Sequence, residues 1–475
     1  MIRTLSFAFK LLLFILAPVI VSAQGYEIKV KIDGFTKNEI ILAYQLGSKT
    51  YVKDTAAREN DGSYVFRGPD TLKTGMFLIV DPPSNVLLTI LADEKNQRFS
   101  ISTNLKDPGK YAKFTGSSEN KLFNDYRQYI ADQKWIADSL KGKNQDPDID
   151  AVTSGKIDKK LKALDSTVKK YQTNFIAKYP TTLTALIIKA NIEPVPPVFT
   201  GTEDDKYWQL LNWTRAHVFD NANLAEDRLL RTSFLASKVD YYLDKLTVQH
   251  PDSINLAVDR VLALCKPSKS NYQFFLSDLL NKYARSTTIG MDAVYVHLAL
   301  TYYDNGKADW IEKENLNKIL SNARALEPIL IGKTAPDFSI SDITDNHKVT
   351  LNDFKANMTI LFFWSPDCDV CRKTAGFVLK AAEKYKDKGL RVFSVNTAGM
   401  NLSVDAGKNF VTQNKMESFL NTSDPLNIGQ IKNRYDIRST PQLFILDKNK
   451  KILFKKLGGE QLDEILTYLI KQENL

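Results

Sequence analysis

Two cysteines three positions apart carry the sharpest chemical signal in the chain. They sit in Trp364-Ser-Pro-Asp-Cys368-Asp-Val-Cys371-Arg-Lys, where an apolar run over 359–364 gives way to an amphipathic stretch over 372–388. The run predicts a buried strand and the stretch a helix. A thiol at the N-terminal end of a helix faces unpaired backbone N–H groups and the positive end of the helix dipole, and both favour the thiolate. Only the thiolate attacks a disulfide, so Cys368 is the expected nucleophile. Cys371, one turn on and more buried, is placed to attack the mixed disulfide and release the partner. Asp367 and Asp369 flank the nucleophile, and their like charge opposes ionisation while the dipole, Arg372 and Lys373 favour it. These two acids are therefore expected to tune the redox pair, holding the thiolate to a modest stabilisation.

Other chemistries find less support. Half a zinc site also reads CxxC, but completing it takes two more Cys or His ligands, and the chain has neither a second CxxC nor an HxxxH. No metal and no cofactor is expected. The four histidines, His217, His250, His297 and His347, are scattered without ligand spacing. Cys265 closes a helical apolar pattern and reads as a buried small hydrophobe. Three cysteines are too few for a disulfide framework. A net charge of +9 is a mild excess over 475 residues. Its short basic runs, such as Lys159-Lys160 and Lys455-Lys456, lie in amphipathic patterns that read as solvated faces, so no nucleic-acid partner is expected.

The elements that must position the CxxC fall into three blocks behind a leader, giving a multidomain α+β chain. Residues 1–23 read as a signal peptide. Arg3 and Lys10 form a positive n-region, 11–21 an apolar h-region, and Val21-Ser22-Ala23 a small-residue cleavage motif. An apolar run of about 11 residues is well short of the ~20 that a spanning helix needs. With no Cys at the cleavage point, the mature chain is expected in the periplasm, not spanning the membrane. Residues 24–117 alternate with period two from Tyr26 to Ile32, with turn signals at Asp33-Gly34, Asp61-Gly62 and Asp81-Pro82-Pro83, and predict an antiparallel β-sandwich. Residues 118–328 turn helical: Ile157, Leu161, Leu164, Val168, Tyr171 and Phe175 draw one apolar stripe, and further helices are predicted over 207–218, 224–246, 254–264, 272–283 and 311–325. Residues 329–475 alternate strand and helix, with a strand over 390–395, a hairpin of 442–446 and 452–454, and a closing helix over 460–473. A strand, a crossover helix and a further strand imply a parallel core sheet.

The last block resembles the TlpA/ResA-like branch of the thioredoxin superfamily, which overlaps in pattern with the peroxiredoxin (AhpC/TSA-like) proteins. The motifs are Gly332-Lys-Thr-Ala335-Pro336-Asp337-Phe338, Leu351-Asn-Asp-Phe354, Phe362-Phe-Trp364 before the CxxC, and Ser439-Thr440-Pro441 before a strand. The resemblance implies a C-terminal thioredoxin fold (α/β) and a Cys368–Cys371 disulfide in the oxidised form. It also implies a cis peptide before Pro441 that opens the Thr440 backbone to strand-like pairing with a partner. Thr440, Pro441 and Trp364 are then the expected substrate contacts. The segment 395–433 resembles the extra segment of this branch. The two front blocks resemble, more loosely, the β-domain and helical domain of unknown function that precede such thioredoxin domains, with Gly116-Ser-Ser-Glu-Asn120 as the junction. Phe362 and Thr374 stand where related proteins carry an acid, and Asp367 stands where a Trp usually precedes the first Cys.

The expected activity is thiol–disulfide exchange, reducing disulfides of exported proteins, with a membrane thiol electron donor as the implied partner. A thiol peroxidase is the alternative within enzymes, although Leu361 occupies the proline position of a Pro-x-x-x-Thr-x-x-Cys block. A binding or scaffold protein with a vestigial redox domain is the alternative outside them.

Overall fold

A computed structural model describes residues 25–304, 306–398 and 404–472; the predicted leader, 1–23, lies outside the described residues. The chain forms two compact units, one ending at Val239 and the other running from Asp240.

In the first unit the period-two stretch becomes β1 (Tyr26–Asp33), with Tyr26, Ile28, Val30 and Ile32 buried. It is followed by β2 (Glu39–Leu46), β3 (Lys49–Ala57), β4 (Tyr64–Gly68), β5 (Gly75–Asp81), β6 (Asn85–Ala92), β7 (Arg98–Asn104) and β8 (Lys113–Thr115). Two four-stranded sheets, ordered β4-β1-β7-β8 and β3-β2-β5-β6, close on one core. Ile28, Phe66 and Ile101 enter it from the first sheet, and Leu42, Ile79 and Ile90 from the second. The expected sandwich is present, with one difference in pairing. β1 and β7 run parallel, because the chain between them passes through the other sheet and no hairpin dictates an antiparallel return. β3 carries no period-two signal because, of its residues, only Ala56 is buried.

The junction at Asn120 is a polar weld. Ser117 caps α1 (Ser118–Asn144), and the Asn120 amide exchanges two hydrogen bonds of 2.7 Å with the Leu91 main chain in β6. The Glu119 carboxylate accepts from the Leu183 and Thr184 N–H groups at the start of α3 (Leu183–Asn191). Between them lies α2 (Ala151–Lys178), whose apolar stripe meets α1 with Tyr171 stacked on Tyr129 at 3.8 Å. α4 (Glu203–His217) follows. The single helix expected over 224–246 is broken into α5 (Asp227–Leu230), α6 (Ser233–Tyr241) and a π turn at Tyr242–Leu246. Sheet pairing is the cause: the carbonyls of Leu230 and Arg231 accept from Gly47 and Met76, each at 2.8 Å, and are drawn out of helical register.

The second unit opens with α7 (Pro251–Cys265), α8 (Lys269–Ala284), α9 (Asp292–Leu298) and α10 (Lys313–Leu326). The strands β9 (Ser339–Asp342), β10 (Lys348–Thr350), β11 (Met358–Trp364), β12 (Leu390–Asn396), β13 (Leu420–Ser423), β14 (Gln442–Asp447) and β15 (Ile452–Lys455) form a seven-stranded sheet in the order β10-β9-β13-β12-β11-β14-β15. β11, β12 and β13 are parallel, and the β14–β15 hairpin adds antiparallel strands. The helices are α11 (Asp369–Lys384), α12 (Val404–Gln413), α13 (Ile431–Arg434) and α14 (Leu462–Gln472). Alternation along β11 feeds two apolar layers. Met358, Ile360, Phe362 and Trp364 pack with α11 and α14, while Leu361 and Phe363 pack on the opposite face with Phe393, Tyr435 and Phe444. Each large apolar side chain so buried contributes about 1.5–3 kcal/mol. Lys455, 1% exposed at the end of β15, reaches the Asp292 carboxylate of α9 at 2.5 Å. This buried ion pair fastens the α7–α10 helices to the sheet.

Candidate active site

β11 is buried at every position and ends at Trp364. Ser365-Pro366-Asp367 turns the chain, and Cys368 becomes the N-cap of α11. The N–H of Cys371 donates to Cys368 Sγ at 3.1 Å. One of the orphan donors of the helix end is thus aimed at the sulfur, and negative charge on that atom is favoured there. Cys368 and Cys371 are joined as a disulfide with their Cα atoms 5.2 Å apart. Cys368 is half-buried, whereas Cys371 is sealed in the α11 layer. Across from them the Thr440–Pro441 peptide is cis, and the Thr440 carbonyl oxygen lies 3.4 Å from Cys368 Sγ. The geometry therefore brings together Cys368, Cys371, Thr440 and Pro441 from residues 72 positions apart in sequence.

Trp364 is a correction. Its side chain is 0% exposed, its Nε1 donates to Ser394 Oγ at 2.6 Å, and its ring stacks on Phe410 of α12 at 4.3 Å. It offers no surface to a substrate. Its work is to support the end of β11 from beneath, helped by the Thr397 N–H, which donates to the Trp364 carbonyl at 2.8 Å. Asp367 accepts from the Ser365 hydroxyl and, like Asp369, is exposed. The Asp369 side chain is 94% exposed and 3.9 Å from the Arg372 guanidinium, so its field at the sulfur is screened by water.

Arg372 does more than supply charge. Its guanidinium donates to the Pro366 carbonyl and lies over the Phe410 ring at 5.8 Å, clamping the turn that presents Cys368. Ser394 and Phe410 also support the site and were not singled out in the sequence. A serine inside an apolar strand is a readable signal for the first; nothing local marks the second. Phe362 and Thr374, where related proteins carry acids, are both buried. On the surface, Asp342, Asp345 and His347 each place one ligand atom within 4.8 Å of the others. These carboxylates are occupied by turn hydrogen bonds from Thr344 and His347, and the bond to Asp345 holds the His347 imidazole above its ordinary range.

A parallel-centred sheet with a redox pair at a strand–helix junction and a facing cis-proline defines a thioredoxin-fold protein. Residues 331–455 match the AhpC/TSA family, while 26–123 and 159–325 match two domains of unknown function, DUF4369 and DUF5106. The thiol-disulfide oxidoreductase ResA of Bacillus thuringiensis subsp. konkukian is 31% identical over 149 residues, covering 31% of this chain and 80% of that protein. ResA of Geobacillus kaustophilus is 27% identical over 127 residues, covering 26% of this chain and 67% of that protein. A crystal structure of a domain of a possible thiol-disulfide isomerase from Cytophaga hutchinsonii is 34% identical, covers 30% of this chain and 96% of that one, and has a TM-score of 0.28. The chain belongs to the ResA family of thiol–disulfide oxidoreductases.

Proposed function

We propose that this enzyme is exported and reduces disulfides of extracytoplasmic proteins, using Cys368 to attack and Cys371 to resolve. The Cys368 thiolate attacks a partner sulfur, a mixed disulfide forms, and the first partner thiolate leaves and takes a proton. The Cys371 thiolate then attacks Cys368 Sγ, the second partner thiol is released, and two electrons have passed to the partner. Re-reduction requires an external dithiol, for which a membrane thiol donor is the natural source outside the cytoplasm. The observation that carries this reading is the Cys371 N–H directed at Cys368 Sγ with the Thr440 carbonyl beside it. Thr440 and Pro441 hold the partner by backbone pairing, and Asp367 and Asp369 act as weak tuners. The leader motif over 1–23 supports export, and among the described residues no helix is long and apolar enough to cross a membrane. The proposed domains are 24–117, 118–328 and 329–475.

The test is Cys371→Ser, which removes the resolving thiol. Expressed in the host, it should accumulate mixed disulfides through Cys368 with exported proteins, visible as reductant-sensitive bands. If it traps nothing while the wild-type protein reduces insulin, the proposed division of labour is wrong.

A further inference from the structure

Ile437 and Leu443 are buried, but none of residues 438–442 between them, which carry the cis peptide, is. Apolar packing therefore does not hold the Thr440 backbone opposite Cys368, and its position depends on what is fastened at either side. Upstream, Arg438 stands two residues before Thr440, at most about 7 Å away along the chain. Its Nε donates to the Asp436 carboxylate at 2.8 Å, and its Nη2 donates to Asn322 Oδ1 on α10 at 2.8 Å. Two donors of one planar fork thus meet two acceptors, which fixes the orientation of the guanidinium as well as its place. Downstream, Lys455 stands opposite Phe444, three residues after Pro441, and forms the buried ion pair with Asp292 of α9. The Tyr295 hydroxyl of α9 donates to the Ile319 carbonyl of α10 at 3.0 Å, so both fastenings are made to one pair of joined helices. Asp292 and Asn322 lie in the DUF5106 match, whereas Arg438 and Lys455 lie in the AhpC/TSA match.

We infer that Asn322 and Arg438 are positioning residues for exchange with polypeptides: through their hydrogen bond, α10 sets where the Thr440 backbone lies relative to Cys368 Sγ. The inference rests on the reading of Cys368 as the attacking cysteine and of Thr440 as the backbone that pairs with the partner. The Thr440 carbonyl lies 3.4 Å from that sulfur. Attack needs the partner disulfide aligned with Cys368 Sγ, so drift of this segment misplaces a bound peptide while leaving the cysteines as they are. The Arg438 side chain is 63% exposed, and an exposed contact of this kind adds little to folding stability. Its effect falls on placement instead. Helices of a region without an assigned role thereby take part in how the redox pair receives a polypeptide.

The full-length protein, as wild type, Asn322→Ala, Asn322→Asp, Arg438→Ala and the double alanine variant, is assayed with insulin and with 2-hydroxyethyl disulfide, which has no peptide groups to pair with Thr440. Asn322→Ala should raise KM for insulin about fivefold, the equivalent of one lost hydrogen bond. The same change should move KM for 2-hydroxyethyl disulfide by less than about twofold. Asn322→Asp keeps an acceptor for Arg438 and should retain the wild-type KM for insulin. Because the two residues act through one bond, the double variant should be no worse than Arg438→Ala alone. Equal changes in KM for the two disulfides, no rescue by Asn322→Asp, or additive effects in the double variant would overturn the inference. A wild-type protein that reduces neither disulfide would instead sink the assignment of Cys368, so the two failures are distinguishable.

Discussion

Cys265 closes α7 and Cys368 opens α11, and the two ends of a helix offer a thiol opposite surroundings. At the C-terminal end the orphan groups are carbonyls and the dipole is negative, so a thiolate is disfavoured. Burial adds to this: Cys265 is 0% exposed, and desolvation pushes its thiol up to about 12. At the N-terminal end Cys368 is half-exposed and receives an N–H bond from Cys371. Residue type is the same in both places; position on the helix decides whether the sulfur is packing material or a nucleophile.

The largest expected consequence is in turnover. Cys368→Ser should lower insulin reduction at least about a thousandfold, because a hydroxyl cannot take the place of the thiolate in exchange. Cys265→Ser should leave turnover within about twofold; a comparable loss there would break the contrast. Next comes alkylation of the reduced native protein at pH 7, followed by peptide mapping. Iodoacetamide should modify Cys368 at least about a thousandfold faster than Cys265, since reactivity follows thiolate fraction and exposure. Equal labelling would mean that α7 opens readily. A smaller effect is on stability: Cys265→Ser places a hydroxyl in an apolar site and should cost about 1–3 kcal/mol, read from the urea midpoint. The smallest concerns redox tuning. The reduction potential should lie nearer the thioredoxin value of about −270 mV than the disulfide isomerase value of about −180 mV. Asp369→Asn should move it only about 10 mV to the oxidising side, the equivalent of a few tenths of a kcal/mol for an exposed charge at a helix end. A shift of 60 mV or more, about six times that expectation, would show that Asp369 is far better coupled to the sulfur than its exposure suggests.

What could be read from the sequence was whatever depends on neighbours in the chain. The strand ending at Trp364, the helix opening at Cys368 and the Thr-Pro before β14 are local patterns, and each is present. The succession of strand-rich, helical and mixed strand–helix regions shows in changes of hydrophobic period. What could not be read depends on partners far apart. Trp364 is sealed by Ser394 and Phe410, contacts that no local pattern announces, so an aromatic next to a redox pair passed for a substrate contact. The helix expected over 224–246 has good helical periodicity, yet strand ends at Gly47 and Met76 claim its carbonyls. Arg372 was visible as a charge, but its hold on Pro366 needs the turn geometry.

Families are inherited in pieces, and here the pieces meet across several polar contacts, the most deeply buried of them one ion pair. The AhpC/TSA match ends on Lys455 itself, and Asp292 falls within the match to DUF5106. A cation and its counter-ion are thus divided between the two matched regions. Loss of Asp292 would leave Lys455 as an uncompensated buried charge, at about 3–5 kcal/mol, whereas loss of Lys455 leaves Asp292 with Lys456 at 4.0 Å. A chimera whose helical region carries no acid at position 292 should therefore be destabilised by about that much.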